Sequence, residues 1–173
     1  MDFWEVIRRR HSVRKYDSGV DVTPEQMRRI LAAAIEAPSA GNCQPWHFVV
    51  VRDKTVRQGL AQAAYGQGFL MQAPVVVAVC SDPARSAKRY GKRGSGLYSL
   101  QDTAAAAEHI LLAATALGLG SCWVGAFDEA AAARALTLPE HLRPVALIPI
   151  GHAKAPSSRH ATRRPLDRVV TYL

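Results

Sequence analysis

The chain has 173 residues, 49% hydrophobic and 21% charged, with a formal net charge of +8. A chain of that length buries roughly 70% of its unfolded surface, and its composition is that of one ordinary globular domain spanning residues 1–173, which excludes disordered and fibrous classes. Cys43, Cys80 and Cys122 are odd in number and form no paired spacing, so a reduced, cytoplasmic setting is expected in place of a disulfide framework. The opening Met1-Asp2-Phe3-Trp4-Glu5 is acidic where a secretory leader needs basic residues.

Phe3, Trp4 and Ile7 recur at helical spacing and predict a short amphipathic helix from Asp2 to about Arg10. At its end lies the basic run from Arg8 to Lys15, where cations complement the helix dipole. This run reads either as a solvated cap or as guanidinium forks for a phosphate, with Ser12 as a neutral donor. The next helix is marked by Thr23 as cap, Pro24 in the first turn and Gln26 completing a capping box. Met27, Ile30, Leu31, Ala34 and Ile35 form its apolar stripe, and Pro38 stops it.

Phe48 to Val51 reads as a buried strand, Thr55 to Tyr65 as a helix, and the β-branched run Val75 to Cys80 as a central strand. Pro83 to Ser99 holds glycines and exposed charges and is expected to be a mobile cover. Its Arg85, Lys88, Arg89 and Arg93 either meet an anionic substrate or are simply solvated. Gln101 to Leu117 is an Ala-rich helix with almost no polar face, Ser121 to Phe127 a strand, and Asp128 the cap of a helix to about Leu136. Val145 to Ile150 is the last core strand. Residues 110–127 are uncharged, but Gly118 and Gly120 break the run, so a buried helix followed by a buried strand explains it better than a membrane span. Alternating strands and helices by themselves point to an α/β arrangement.

The segment Ala37-Pro38-Ser39-Ala40-Gly41-Asn42-Cys43-Gln44-Pro45-Trp46 is the most informative in the chain. Two prolines stiffen it, and Ser39, Asn42 and Gln44 offer a hydroxyl and two amides that hydrogen-bond without charge. Such a set suits a flat, heteroatom-rich ligand; a rigid loop of self-satisfied turns is the alternative. Trp46 and Trp123 are expected to be core packing, since aromatics beside strands usually bury area.

Several chemistries find no support. The six histidines show no i, i+4 pair and no neighbouring Cys pair, so no metal site is expected. There is no GxSxG elbow, Walker loop or GxGxxG fingerprint. Seventeen arginines, concentrated near both ends and at 85–93, could mark a nucleic-acid binder, but the aromatics are not interleaved as a stacking platform and no helix-turn-helix is present.

Taken in order, Arg10-His11-Ser12-Val13-Arg14, the loop from Pro38 to Trp46, Gln101-Asp102-Thr103, Leu117-Gly118-Leu119-Gly120, Cys122 to Asp128 and Pro149-Ile150-Gly151-His152 resemble the nitroreductase family of flavin enzymes along nearly the whole chain. The resemblance implies an α+β fold, a three-layer α/β/α sandwich around a mixed β-sheet, and an intertwined homodimer with FMN at the interface. It implies that Arg10, His11, Ser12 and Arg14 hold the phosphate and ribityl end. Arg163 would join them from the basic tail (Arg159 to Arg164), with Arg164 a possible substitute. Pro38, Ser39, Ala40, Gly41 and Asn42 would come from the partner subunit to edge the isoalloxazine. Gly125 and Ala126 would lie beside N5, and Gln67 would face the pyrimidine edge or, equally, solvent. Leu166 to Leu173 fits an arm crossing to the partner, and on its own reads equally as an edge strand of the same subunit. The implied reaction passes hydride from NAD(P)H through flavin N5 to a nitroaromatic, quinone or similar acceptor, with no catalytic side chain. The competing readings are a same-fold enzyme for reductive dehalogenation or flavin breakdown, and a flavin- or nucleic-acid-binding protein without turnover.

Overall fold

The computed structural model describes residues 1–155 and 162–173. Helix α1 (Phe3–Arg9) is capped by the Asp2 carboxylate, which accepts from the Glu5 N–H at 2.8 Å. Helix α2 (Pro24–Ile35) carries the expected capping box: Thr23 Oγ1 accepts from Gln26 N–H at 3.1 Å and Gln26 Oε1 from Thr23 N–H at 2.9 Å. Strand β1 (Trp46–Val51) follows, then α3 (Lys54–Ala63) and the short α4 (Phe69–Gln72). Strand β2 (Val75–Ser81) leads to α5 (Pro83–Arg93), a π-helical turn (Gly94–Tyr98) and the long α6 (Ser99–Ala116). Strand β3 (Gly120–Ser121), α7 (Glu129–Ala135) and β4 (Arg143–Gly151) complete the body, and a 3-10 turn (Leu166–Arg168) lies in the tail.

The strands form one sheet in the order β1-β2-β4-β3, and each ladder is antiparallel. The α/β arrangement inferred from alternation alone is therefore corrected to α+β. Neighbouring strands run in opposite directions whether two helices join them, as between β1 and β2, or α7 alone, as between β3 and β4. The parallel component of the sheet is a single bridge, Ser12 to Ser121.

The three layers follow from the period of two in β2. Val75, Val77 and Val79 pack with Ile30, Ala34, Ile110 and Ala114 of α2 and α6. Val76, Ala78 and Cys80 pack on the other face with Leu60, Leu70 and Ala132 of α3, α4 and α7. Strand β4 sends Ile148 and Ile150 to the first layer and Leu147 to the second. Helix α6 is tied to α2 by the His109 ring, which donates through Nδ1 to the Ala33 carbonyl at 2.8 Å.

Five sequence expectations are corrected. Residues 121–127 form a strand only at Ser121; Val124 makes a single bridge to Leu147, while Trp123, Gly125 and Ala126 are exposed. Trp123, at 38% exposure, is thus not core packing. Strand β1 is an edge strand with only Val51 buried, because it pairs on one side alone. Pro83 to Ser99 is not a loose cover but helical throughout: Asp82 caps α5, Pro83 suits its first turn, and Gly91 at φ 54° makes the break before the π turn. The arm from Leu166 is exposed throughout and joins no sheet, so it is no edge strand of its own subunit.

Candidate functional site

Beyond α1 the backbone runs extended. Val13 N–H donates to the Ser121 carbonyl at 2.9 Å and Ser12 bridges Ser121. Alternate side chains in such a segment face opposite ways. Arg10, Ser12 and Arg14 lie on one side and converge on Cys122. Burial raises that thiol above its ordinary value, while the Arg14 charge, the Ser12 hydroxyl bonded to the sulfur and the Arg10 charge pull it back. On the other side His11 and Val13 line a cavity of about 130 Å³ with Arg9, Thr115, Gly118 and Gly120 at the end of α6. The His11 ring donates through Nδ1 to the Arg9 carbonyl at 2.8 Å. Buried Tyr16 closes the segment, its hydroxyl directed at the carbonyls of Val13 (2.8 Å) and Pro149 (3.2 Å). Burial pushes its phenol well up, with Cys122 adding and Arg14 opposing.

Among the described residues neither Arg10 nor Arg14 pairs with a carboxylate, and Ser12 and Arg14 are exposed. Two unneutralised guanidinium groups flanking a hydroxyl are the donor set for a phosphate monoester.

Four residues past Cys122 the same stretch reaches Ala126. Gln67 donates its side-chain amide to the carbonyls of Ala64 (3.0 Å) and Ala126 (3.1 Å), so the structure brings together two residues that lie far apart in sequence. Both Nε2 protons are thereby committed, which leaves Oε1 as the group able to face a ligand. Gly125 and Ala126 are exposed, and neither backbone N–H donates to another group among the described residues. A Cβ on Gly125 would meet only the Trp123 ring, at 3.6 Å from Nε1. The surface is open to a flat molecule and offers it free peptide donors.

The amide loop is a tight 3-10 turn (Ala40–Asn42) with Gly41 at φ 54°, Asn42 at 56° and Gln44 at 50°. Left-handed backbone costs about 1–2 kcal/mol at a non-glycine residue, so outside contacts must hold the two amides there. Part of the loop's polarity is spent internally, as the self-satisfied alternative expects: Gln44 donates from its backbone to Ser39 Oγ (3.0 Å) and from Nε2 to Asn42 Oδ1 (2.9 Å). Helix α5 clamps the loop from outside, Arg89 donating to the Gly41 carbonyl at 3.0 Å and Arg85 to the Cys43 carbonyl. Arg93 bonds the Tyr98 hydroxyl at 2.9 Å. Three of the four cations proposed to greet a substrate therefore serve the fold, and Lys88 is left to solvent. Asp102 of α6 accepts from the Ala40 N–H at 3.1 Å.

These two halves of the predicted site do not meet within one chain. The loop is anchored at Asp102, in the first turn of α6, and the basic segment borders Thr115 in its last turn. Thirteen residues at 1.5 Å each put them about 20 Å apart. In the tail, Arg159 and His160 lie outside the described residues. Arg164 donates to the Arg168 carbonyl at 2.8 Å, and exposed Arg163 makes a long contact, at 3.5 Å, to the Thr162 carbonyl. No three His, Cys, Asp or Glu side chains among the described residues are placed to hold a metal ion, and no helix among them is long and apolar enough to cross a membrane.

The layered fold matches a nitroreductase family protein from Clostridium novyi NT with a TM-score of 0.81 and 33% identity, over 89% of this chain and 86% of that one. A protein of Archaeoglobus fulgidus named as an NADH dehydrogenase/NAD(P)H nitroreductase is 38% identical over 155 residues, 87% of this chain and 84% of its own length. One of the same name from Methanothermobacter thermautotrophicus is 36% identical over 164 residues, covering 92% and 82%. The sequence model of the nitroreductase family matches residues 7–69 and 61–152. The chain belongs to the nitroreductase family.

Proposed function

We propose that this protein is an FMN-dependent reductase that oxidises NAD(P)H and reduces a nitroaromatic, quinone or similar acceptor, working as a homodimer in the cytoplasm with residues 1–173 as one flavin-binding domain. The observation that carries this reading is the convergence of Arg10, Ser12 and Arg14, with neither guanidinium paired to a carboxylate among the described residues, at one end of a stretch whose other end exposes the N–H groups of Gly125 and Ala126. The oxidoreductase class and its use of NAD(P)H agree with the relatives' names.

FMN held there would supply the hydride-transfer chemistry between NAD(P)H and the acceptor. The chain's own residues bind and orient. Arg10 and Arg14 neutralise the phosphate, Ser12 and the backbone at His11 hold the ribityl end, and Arg163 or Arg164 reaches in from the tail. The N–H groups of Gly125 and Ala126 offer donors to a ring nitrogen. Gln67 fixes the carbonyl of Ala126 and presents Oε1 toward the pyrimidine edge. One phosphate site and no dinucleotide fingerprint favour FMN over FAD. Cys122 is 2% exposed and is assigned no chemistry.

The homodimer rests on the separation along α6. With about 20 Å between the halves, the loop from Pro38 to Asn42 completes a site only if it serves a second copy's basic segment. Phe3, Trp4 and Ile7 of α1 and Leu166, Val169 and Tyr172 of the arm are exposed apolar side chains that a second copy would cover. An apolar groove of about 570 Å³ along Met27, Leu31 and Ile35 of α2, bordered by Arg52 just past β1, offers the partner's arm a seat.

A visible spectrum of the purified protein tests the reading. A near-blue flavin band that falls on adding NADH or NADPH, and recovers on adding a quinone, is the expected result. Acid-released cofactor should run with FMN, and light scattering should give twice the chain mass. FAD, or no flavin after reconstitution, would overturn the assignment.

A further inference from the structure

We infer that Asp102 is a positioning residue that preorganises the loop Ser39–Gln44, so that flavin affinity depends on a carboxylate the ring never touches. The inference rests on the proposed function, since the loop is the part of the site that would edge the ring.

Three residues of this loop sit in left-handed backbone, two of them not glycine, and would relax to ordinary conformations without outside anchors. The anchors are few. Arg85 and Arg89 reach the loop from α5, but both are exposed, and exposed guanidinium bonds are weakened by water and salt. Asp102 is 6% exposed and Ala40 half-buried, so their bond is better shielded from water than the two arginine contacts, and losing it leaves the Ala40 amide without its partner. The carboxylate also lies in the first turn of α6, where the helix dipole favours negative charge. Its second oxygen, Oδ2, is buried with no hydrogen-bond partner among the described residues. Because the other end of α6 borders the basic segment, Asp102 also registers the loop against the spacing of the two half-sites.

Two substitutions separate the bond from the charge. Asp102→Asn keeps an acceptor for the Ala40 N–H, whereas Asp102→Ala does not. Ala40→Pro deletes the donor and leaves the carboxylate in place. Ser39, at φ −140° and ψ 148°, already has the backbone required before proline. Fluorescence titration of the full-length apoprotein with FMN and with riboflavin is the main readout. Asp102→Ala should raise the dissociation constant about tenfold for both ligands, because the loop edges the ring and not the phosphate. Ala40→Pro should match it, the double variant should be no weaker than either single one, and Asp102→Asn should stay within about threefold of wild type. Amide hydrogen exchange of flavin-free protein should show Gly41 to Gln44 opening faster in Asp102→Ala than in wild type.

Unchanged exchange in the loop, or an Asn variant as weak as Ala, overturns the inference. A wild-type protein that binds neither flavin overturns the proposed function instead, and the exchange of the loop amides then still decides whether Asp102 holds the loop.

Discussion

The side-chain amide of Gln67 donates to the carbonyl of Ala126 across 59 residues of sequence, and to that of Ala64 one helical end away. One amide thus ties the end of α3 to the exposed turn that carries Gly125. Replacing Gln67 by Ala removes both bonds and frees the turn. The expected cost is about 1 kcal/mol of stability, near 2–4 °C in melting temperature for a chain of this size. A larger effect should appear in function, as a slower fall of the flavin band on adding NADPH. A variant with a lowered melting temperature and an unchanged rate would show that the turn's position does not matter to the reaction.

Among the described residues Arg14 has no acidic partner, and it faces the same side as Ser12. If it neutralises the phosphate, Arg14→Ala should weaken FMN by about 1.5–3 kcal/mol, as expected for a charge-assisted bond, and leave riboflavin nearly unaffected. This contrasts with Asp102→Ala, where both ligands should suffer. Calorimetric titration with the two ligands distinguishes them, and equal losses in Arg14→Ala would assign it to the fold.

Gly120 bears on the site through packing. A Cβ there would lie 2.8 Å from Val13 Cγ2 and 3.0 Å from its Cβ. Val13 is buried and β-branched, so it cannot swing away. Gly120→Ala should cost about 1–3 kcal/mol by overpacking. It should also weaken FMN, since Val13 carries Ser12 and Arg14 on either side. Denaturant unfolding and flavin titration of the same variant check both halves of this expectation.

Asp102 makes a prediction about pH. Burial raises its carboxyl above the ordinary 3.8, and the Ala40 N–H pulls it partly back. The folded protein therefore keeps this proton after the unfolded chain has released it. The group's contribution to stability is full below the unfolded value and is lost as pH rises through the folded one. Asp102→Asn does not titrate, so its stability relative to wild type should rise between about pH 4 and about pH 7. Denaturant midpoints at the two pH values measure this; the same difference at both would mean the carboxyl titrates as it does in water.

Much of the local structure was legible in the residues. Thr23 with Gln26, Asp128 before α7, the apolar run of β2 and Gly118 ending α6 each signal through neighbours within about four positions, and each appears where expected. Asp82 and Pro83 cap and open a helix that the glycines and charges after them do not suggest. The resemblance implied Arg10, His11, Ser12 and Arg14 for the phosphate and ribityl end, and the extended backbone puts Arg10, Ser12 and Arg14 on one face and His11 on the other. Tertiary structure decided the rest. Strand direction depends on the end of the sheet at which each connection returns the chain, which no residue pattern states. The exposure of Trp123 depends on where β3 leaves its ladder. The bonds from Gln67 to Ala126 and from Asp102 to Ala40 join partners 59 and 62 residues apart. Such a bond leaves no periodicity and no cap in the sequence, because its geometry exists only once the layers have packed.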